Sequence, residues 1–231
     1  MEMDRTTALL AAQKFRSMRN GNIVILISLA VILLNAVFAV VGVLTDPIAF
    51  MIRGGTETIL IFILIGAIAS VVGVIIYLVG LYGLRNVRTE YRNAFWWEIG
   101  LMIFGILVNI IGKETFFGNI LENIGTILSL AVIWLVIQGT KYLMESLQRE
   151  DLLRQGKMVW RLTAVSTVLA AVYGLIPAGS EIEPRMIALM VIGVIISVLA
   201  FCVAIYYVNY LNRVARALDQ IGGTMEEVPP L

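Results

Sequence analysis

Glu98 has the strongest claim to chemistry in this chain, because it lies inside an apolar stretch, Phe95–Ile111, that reads as a membrane span. Ionisable groups within a bilayer are costly and therefore point to function by default. The residue comes four positions into the span, beside Trp96 and Trp97 and six residues after Arg92. That setting allows two roles. Glu98 can be an anchored interfacial carboxylate in contact with water, or it can bind a solute or handle a proton. The first is the expectation, with Glu98 kept as the possible functional acid.

Other chemistry is narrowly bounded. Asp4, Asp46, Asp151 and Asp219 all fall outside the apolar stretches, which excludes an intramembrane aspartyl protease. The chain has no histidine, so a Ser–His protease, histidine-held haem and Cys/His zinc sites are excluded as well. Cys202 stands alone in mid-span and lacks a second thiol for a redox relay. It is expected to be buried as a small hydrophobe. No phosphate-cradling glycine loop, metal motif or nucleic-acid motif is legible. The sequence therefore predicts no catalytic set, no cofactor-binding or metal residues, no cofactor and no nucleic-acid partner.

The elements that must position these residues follow from composition. Of 231 residues, 60% are hydrophobic and 14% charged, and mean hydropathy is +0.93, which rules out a water-soluble globule. About 20 apolar residues cross the hydrocarbon core as a helix. Six stretches qualify, at 23–44, 58–82, 95–111, 123–140, 162–180 and 186–212. The fifth, rich in Ala, Ser and Thr, is the weakest. The fold class expected is all-α, a polytopic bundle of six transmembrane helices arranged as three hairpins. A basic leader, 1–22, precedes the transmembrane domain, 23–212, and a tail, 213–231, follows it. Twenty-two apolar residues after the leader exceed a signal-peptide core of about 7–15, so the start reads as an uncleaved signal anchor.

Orientation follows from the basic residues. Fourteen Lys and Arg fall in the leader, the second and fourth loops and the tail, and three (Arg53, Lys113, Arg185) fall in the other loops. This bias places both termini in the cytoplasm of a bacterial inner or plasma membrane protein. Tyr82, Tyr142 and Tyr210 recur at the inner ends of the second, fourth and sixth spans, at intervals of 60 and 68 residues. They suit interfacial aromatics and, less specifically, an internal repeat.

Lys141–Arg161 alternates apolar and charged residues at helical spacing, which fits an extension lying on the membrane surface or a solvated helical linker. The leader carries the same pattern, and both could touch anionic lipid heads. Ser28, Asn35, Ser70, Asn109, Ser129, Ser166, Thr167 and Ser197 are scattered along the spans, suiting interhelical hydrogen bonds rather than a lined pathway. Pairs such as Gly66/Ser70 and Gly125/Ser129 offer close helix packing. Gly66, Gly73, Gly80 and Gly83 make the second span the most bendable.

The function expected is that of a non-enzymatic accessory or assembly subunit of a membrane complex, with a protein partner at the cytoplasmic face and the lipid bilayer around it. The alternative is a carrier, or substrate-binding membrane subunit, for a small neutral or apolar solute. An enzyme acting on lipid through Glu98 ranks third, for want of polar partners beside that acid. Oligomeric state is not legible.

Overall fold

A computed structural model describes residues 5–45, 55–112, 115–176 and 184–224. All regular structure among them is helical: α1 (Arg5–Thr45), α2 (Gly55–Gly83), α3 (Thr89–Ile111), α4 (Phe116–Ser146), α5 (Glu150–Gly174) and α6 (Pro184–Thr224). Five of these, all but α5, are long and apolar enough to cross a membrane. Large apolar side chains are exposed along all six. The chain has the character of a multi-pass membrane protein.

α5 differs because Glu150, Asp151, Arg154, Lys157 and Arg161 occupy its first half. Its apolar part within the helix, 162–174, rises only about 20 Å at 1.5 Å per residue. The rest of the predicted fifth span, from Pro177 onward, lies outside the described residues.

Each helix packs on its chain neighbours, and α1 also packs on α6, which closes the cycle. The α1–α2 contact is the most extensive and α2–α3 the least. The arrangement is thus a cycle of neighbours rather than three separate hairpins, with α2–α3 as its thinnest seam.

The core sits at one end. It draws on Ala11, Phe15 and Met18 near the start of α1, Tyr77 and Leu81 at the end of α2 with Leu84 just after it, and Tyr91 and Ala94 at the start of α3. Val136 and Met144 late in α4, Leu152 and Val159 early in α5, and Tyr207–Leu218 late in α6 complete it. Because the helices run alternately up and down, these segments meet at a single level. Most of the Lys and Arg residues are here too, so this is the basic end of the bundle.

Two expectations change at this end. The leader is not a separate surface segment. α1 runs unbroken through it for 41 residues, and Phe15 and Met18 are fully buried among the other helices. Nor does 141–161 lie flat as one surface helix. α4 stops at Ser146, Gln148 takes φ 53°, and α5 starts at Glu150, so the segment is the tight turn of an upright helix pair. Burying Met144, Leu152 and Val159 in a core shared with the neighbouring helices removes more apolar surface from water than one interface face could.

Polar ties brace the same end. Arg16 bridges Asp219, and Arg19 donates to Asn212 Oδ1 at 2.7 Å, joining α1 to α6. Arg213 donates to Gln155 Oε1 at 2.7 Å and to Asp151 at 3.0 Å, joining α6 to α5. The hydrogen bond from Arg149 holds the Asp151 carboxyl below its ordinary range. The ion pairs Arg16–Asp219 and Arg213–Asp151 are exposed, so each adds little, while the bonds to Asn212 and Gln155 are partly buried.

The glycines of α2 make a seam and not a bend. Gly66 faces Ile32 and Ser28, Gly73 faces Ile25 and Gly21, and Gly80 faces Met18 and Lys14, all on α1. Ser28 donates to the Gly66 carbonyl and meets Ser70 Oγ at 2.7 Å, while Asn35 donates to the Ile59 carbonyl at 2.9 Å. These are the expected interhelical bonds. Elsewhere the expectation fails: Asn109, Ser129, Ser166 and Ser197 donate to carbonyls three or four residues back in their own helices. That local bond satisfies a polar group without any partner helix.

Candidate functional site

Helical spacing turns Glu98 inward. Tyr91, Ala94 and Glu98 stand three and seven residues apart along α3, on one face of the helix, and the first two are fully buried. Trp96, 64% exposed, and Trp97 lie on the opposite side with the exposed Arg92. The tryptophans therefore mark the outward face, and the carboxylate does not share it.

Glu98 is partly buried and lies within electrostatic reach of the hydroxyls of Tyr77 on α2 and Tyr207 on α6. No hydrogen bond or ion pair ties it to another described residue. The Tyr207 hydroxyl faces that of Tyr77 without closing a hydrogen bond of ordinary geometry, and it is buried without a partner. A buried unpaired hydroxyl costs about 1–3 kcal/mol, so native cores rarely keep one.

Beside this group the polar atoms are satisfied. Tyr91 Oη lies 3.1 Å from Thr140 Oγ1, which donates to the Val136 carbonyl at 2.8 Å. Tyr210 Oη sits against Gly156, where an added Cβ would come within 2.9 Å of it. Three helices thus bring four buried tyrosines and one acid to the same end of the bundle, with Glu98 about 10 Å along α3 from Tyr91, and α4 supplies the threonine. Such a set can hold a small polar molecule or pass a proton between hydroxyl and carboxylate.

The sequence reading singled out Glu98 but missed Tyr77, Tyr91 and Tyr207. The signal was present in the three- and seven-residue intervals of Tyr91–Glu98 and of Tyr207, Tyr210 and Val214, which make one stripe on each helix. Tyr210 was expected at the interface and is instead buried. Tyr82 and Tyr142 are exposed as expected, with the guanidinium of Arg85 3.7 Å from the Tyr82 ring centre and that of Arg88 4.4 Å from Tyr142. The three tyrosines are therefore not equivalent, which weakens the repeat. Cys202 is exposed and not buried, because the inward stripe of α6 runs through Val203 and Tyr207 and leaves position 202 on the outer face. Among the described residues no group of three His, Cys, Asp or Glu is placed to hold a metal ion.

The fold and site define a class, a multi-pass helical membrane protein with a consolidated core at its basic end. Comparison with protein-family models, with curated proteins and with solved structures yields no match.

Proposed function

We propose that this chain is a non-enzymatic accessory or assembly subunit of a membrane complex, with its basic end in the cytoplasm as the docking platform. The observation that carries this reading is the position of the core. Between helices in lipid there is no hydrophobic drive, and packing relies on small residues and polar contacts. A water-type core of Phe15, Met144, Leu152 and Leu218 gathered at one end suits segments that stand outside the hydrocarbon. Such a collar gives a partner a rigid basic surface. In the other half, scattered hydroxyls bonded to their own helices offer a solute no continuous polar route.

In this reading all six helices cross. Support for the fifth comes from Asn119, near the start of α4, which donates to the carbonyl of Gly174 at the end of α5 at 3.1 Å. The two helices therefore reach the same depth. Single cysteines in a Cys202→Ser background test this. An impermeant thiol reagent applied from outside should label positions 115 and 175 and leave 20, 89 and 148 unlabelled. Labelling at 148, or protection at 175, would remove the fifth crossing or reverse the orientation.

A second reading, a carrier for a small solute, is favoured by the unpaired Tyr207 hydroxyl facing Tyr77 and Glu98. Purification of the tagged protein from native membranes in mild detergent separates the two. The accessory reading expects a stoichiometric protein partner that is retained by Glu98→Gln and lost when Arg154 and Arg216 are both changed to Glu. A bound solute without a protein partner, lost in folded Glu98→Gln, would overturn it in favour of the carrier.

A further inference from the structure

We propose that a pocket between α4 and α5 at the basic end binds the headgroup of one anionic phospholipid. The cavity has a volume of about 310 Å³ and is closed on one side by Tyr210 of α6. Its lining is mostly apolar, with the cationic side chains on its rim. Trp134 and Trp160 meet with ring centres 5.0 Å apart and form the apolar wall. Gln138, Lys141, Lys157 and Arg161 supply the polar side.

Chain direction fixes the order of these groups along the membrane normal. α4 runs toward the basic end, so Lys141 stands about 10 Å beyond Trp134 at 1.5 Å per residue. α5 runs the other way, so Lys157 is at the mouth and Arg161 about one turn deeper. Lys141 and Lys157 therefore stand at the mouth. Arg161 follows Trp160 at the level of the aromatic pair, toward the apolar half of the bundle, where its long stem can carry the guanidinium back toward the mouth. Lys141 shares its charge with Glu145, 3.6 Å away, and no acid is among the residues lining the pocket.

This arrangement matches an anionic amphiphile. The phosphate would meet Lys157, Arg161 and the Gln138 amide, and the glycerol and first methylenes would lie on the tryptophans. Free phosphate would use the cations but leave the apolar wall without a function, so the geometry favours the lipid. Basic residues near a membrane surface each attract anionic lipid by roughly 1 kcal/mol, and enclosure in a pocket makes that attraction selective. The assignment rests on the membrane reading and on neither the accessory nor the carrier role.

The test uses the full-length protein, delipidated in detergent and offered phosphatidylglycerol or phosphatidylcholine with the same acyl chains. Native mass spectrometry should retain one phosphatidylglycerol in preference to phosphatidylcholine. Changing Lys157 and Arg161 together to Gln should weaken that retention roughly tenfold or more. Changing Arg154 and Arg216 to Gln, which removes equal charge outside the pocket, should leave it unchanged. Equal retention of both lipids, or equal loss in both double variants, would overturn the proposal. So would displacement of the lipid by excess inorganic phosphate, which would make this a free-anion site.

A second measurement leaves the pocket intact. In a Trp96→Phe/Trp97→Phe background only Trp134 and Trp160 fluoresce. Brominated phosphatidylglycerol should quench them at mole fractions where brominated phosphatidylcholine does not. Equal quenching by the two would likewise overturn the assignment.

Discussion

Phe15→Ala should lower the stability of the folded bundle by about 3–5 kcal/mol, the usual cost of deleting a buried aromatic side chain. Phe15 is fully buried, and its ring meets that of Tyr91 edge to face with centres 5.9 Å apart. It sits where α1, α2, α3 and α6 converge, so removing it leaves a cavity bounded by four rigid elements. Leu10, on the same helix, is 46% exposed. Leu10→Ala should cost within about 0.5 kcal/mol, as for other surface changes. Thermal melting in detergent, followed by tryptophan fluorescence and by monodispersity after heating, should rank the two variants far apart. Matching melting temperatures would mean that the start of α1 does not dock in the core.

Gly21→Leu should be at least as damaging, through excess volume instead of a cavity. A Cβ at Gly21 would come within 2.5 Å of the Tyr77 backbone nitrogen and 2.6 Å of the Gly73 carbonyl oxygen. Backbone atoms of a helix cannot swing aside as a flexible side chain can, so α1 and α2 must part. Overpacking costs about 1–3 kcal/mol where side chains adjust, and more where they cannot. Ser28 and Ser70 report on the seam, since their hydroxyls lie 2.7 Å apart. With both changed to cysteine and Cys202 to serine, oxidation should cross-link the pair. Adding Gly21→Leu should abolish the cross-link. Gly100, on α3, has nothing within 4 Å of its added Cβ, and Gly100→Leu should be tolerated. Efficient cross-linking in the Gly21→Leu protein would show that the seam can open without losing register.

These two residues illustrate how unevenly the sequence can be read. The apolar stretches announced the helices, because crossing a bilayer leaves the backbone no alternative that satisfies its hydrogen bonds. Gly73 and Gly80 stand out in the sequence only as points where α2 could bend. A glycine that bends a helix and one that admits a neighbouring backbone look the same until the neighbour is placed. Phe15 and Met18 form a legible apolar stripe in the basic leader, but such a stripe suits a membrane surface as well as a core.

For the site, Glu98 was legible because a carboxylate in an apolar run is conspicuous in any sequence. Tyr77, Tyr91 and Tyr207 were not, because tyrosine is equally at home at a membrane interface and in a core. The pocket lined by Trp134, Lys157 and Arg161 joins residues from two helices and was equally hidden.

By itself, the sequence determined that the chain is helical, rich in spans and strongly asymmetric in basic charge. Those properties follow from composition and from the order of residues along single helices. The tertiary structure alone decided that the core gathers at the basic end, that α1 closes onto α6, and that Glu98, partly buried, comes within electrostatic reach of tyrosines on neighbouring helices. Such facts depend on how each helix is rotated about its axis. Along the lipid-facing lengths apolar side chains gain nothing from facing inward, so the close contacts of small and polar residues set that rotation. At the basic end the burial of apolar side chains such as Phe15, Leu152 and Leu218 sets it.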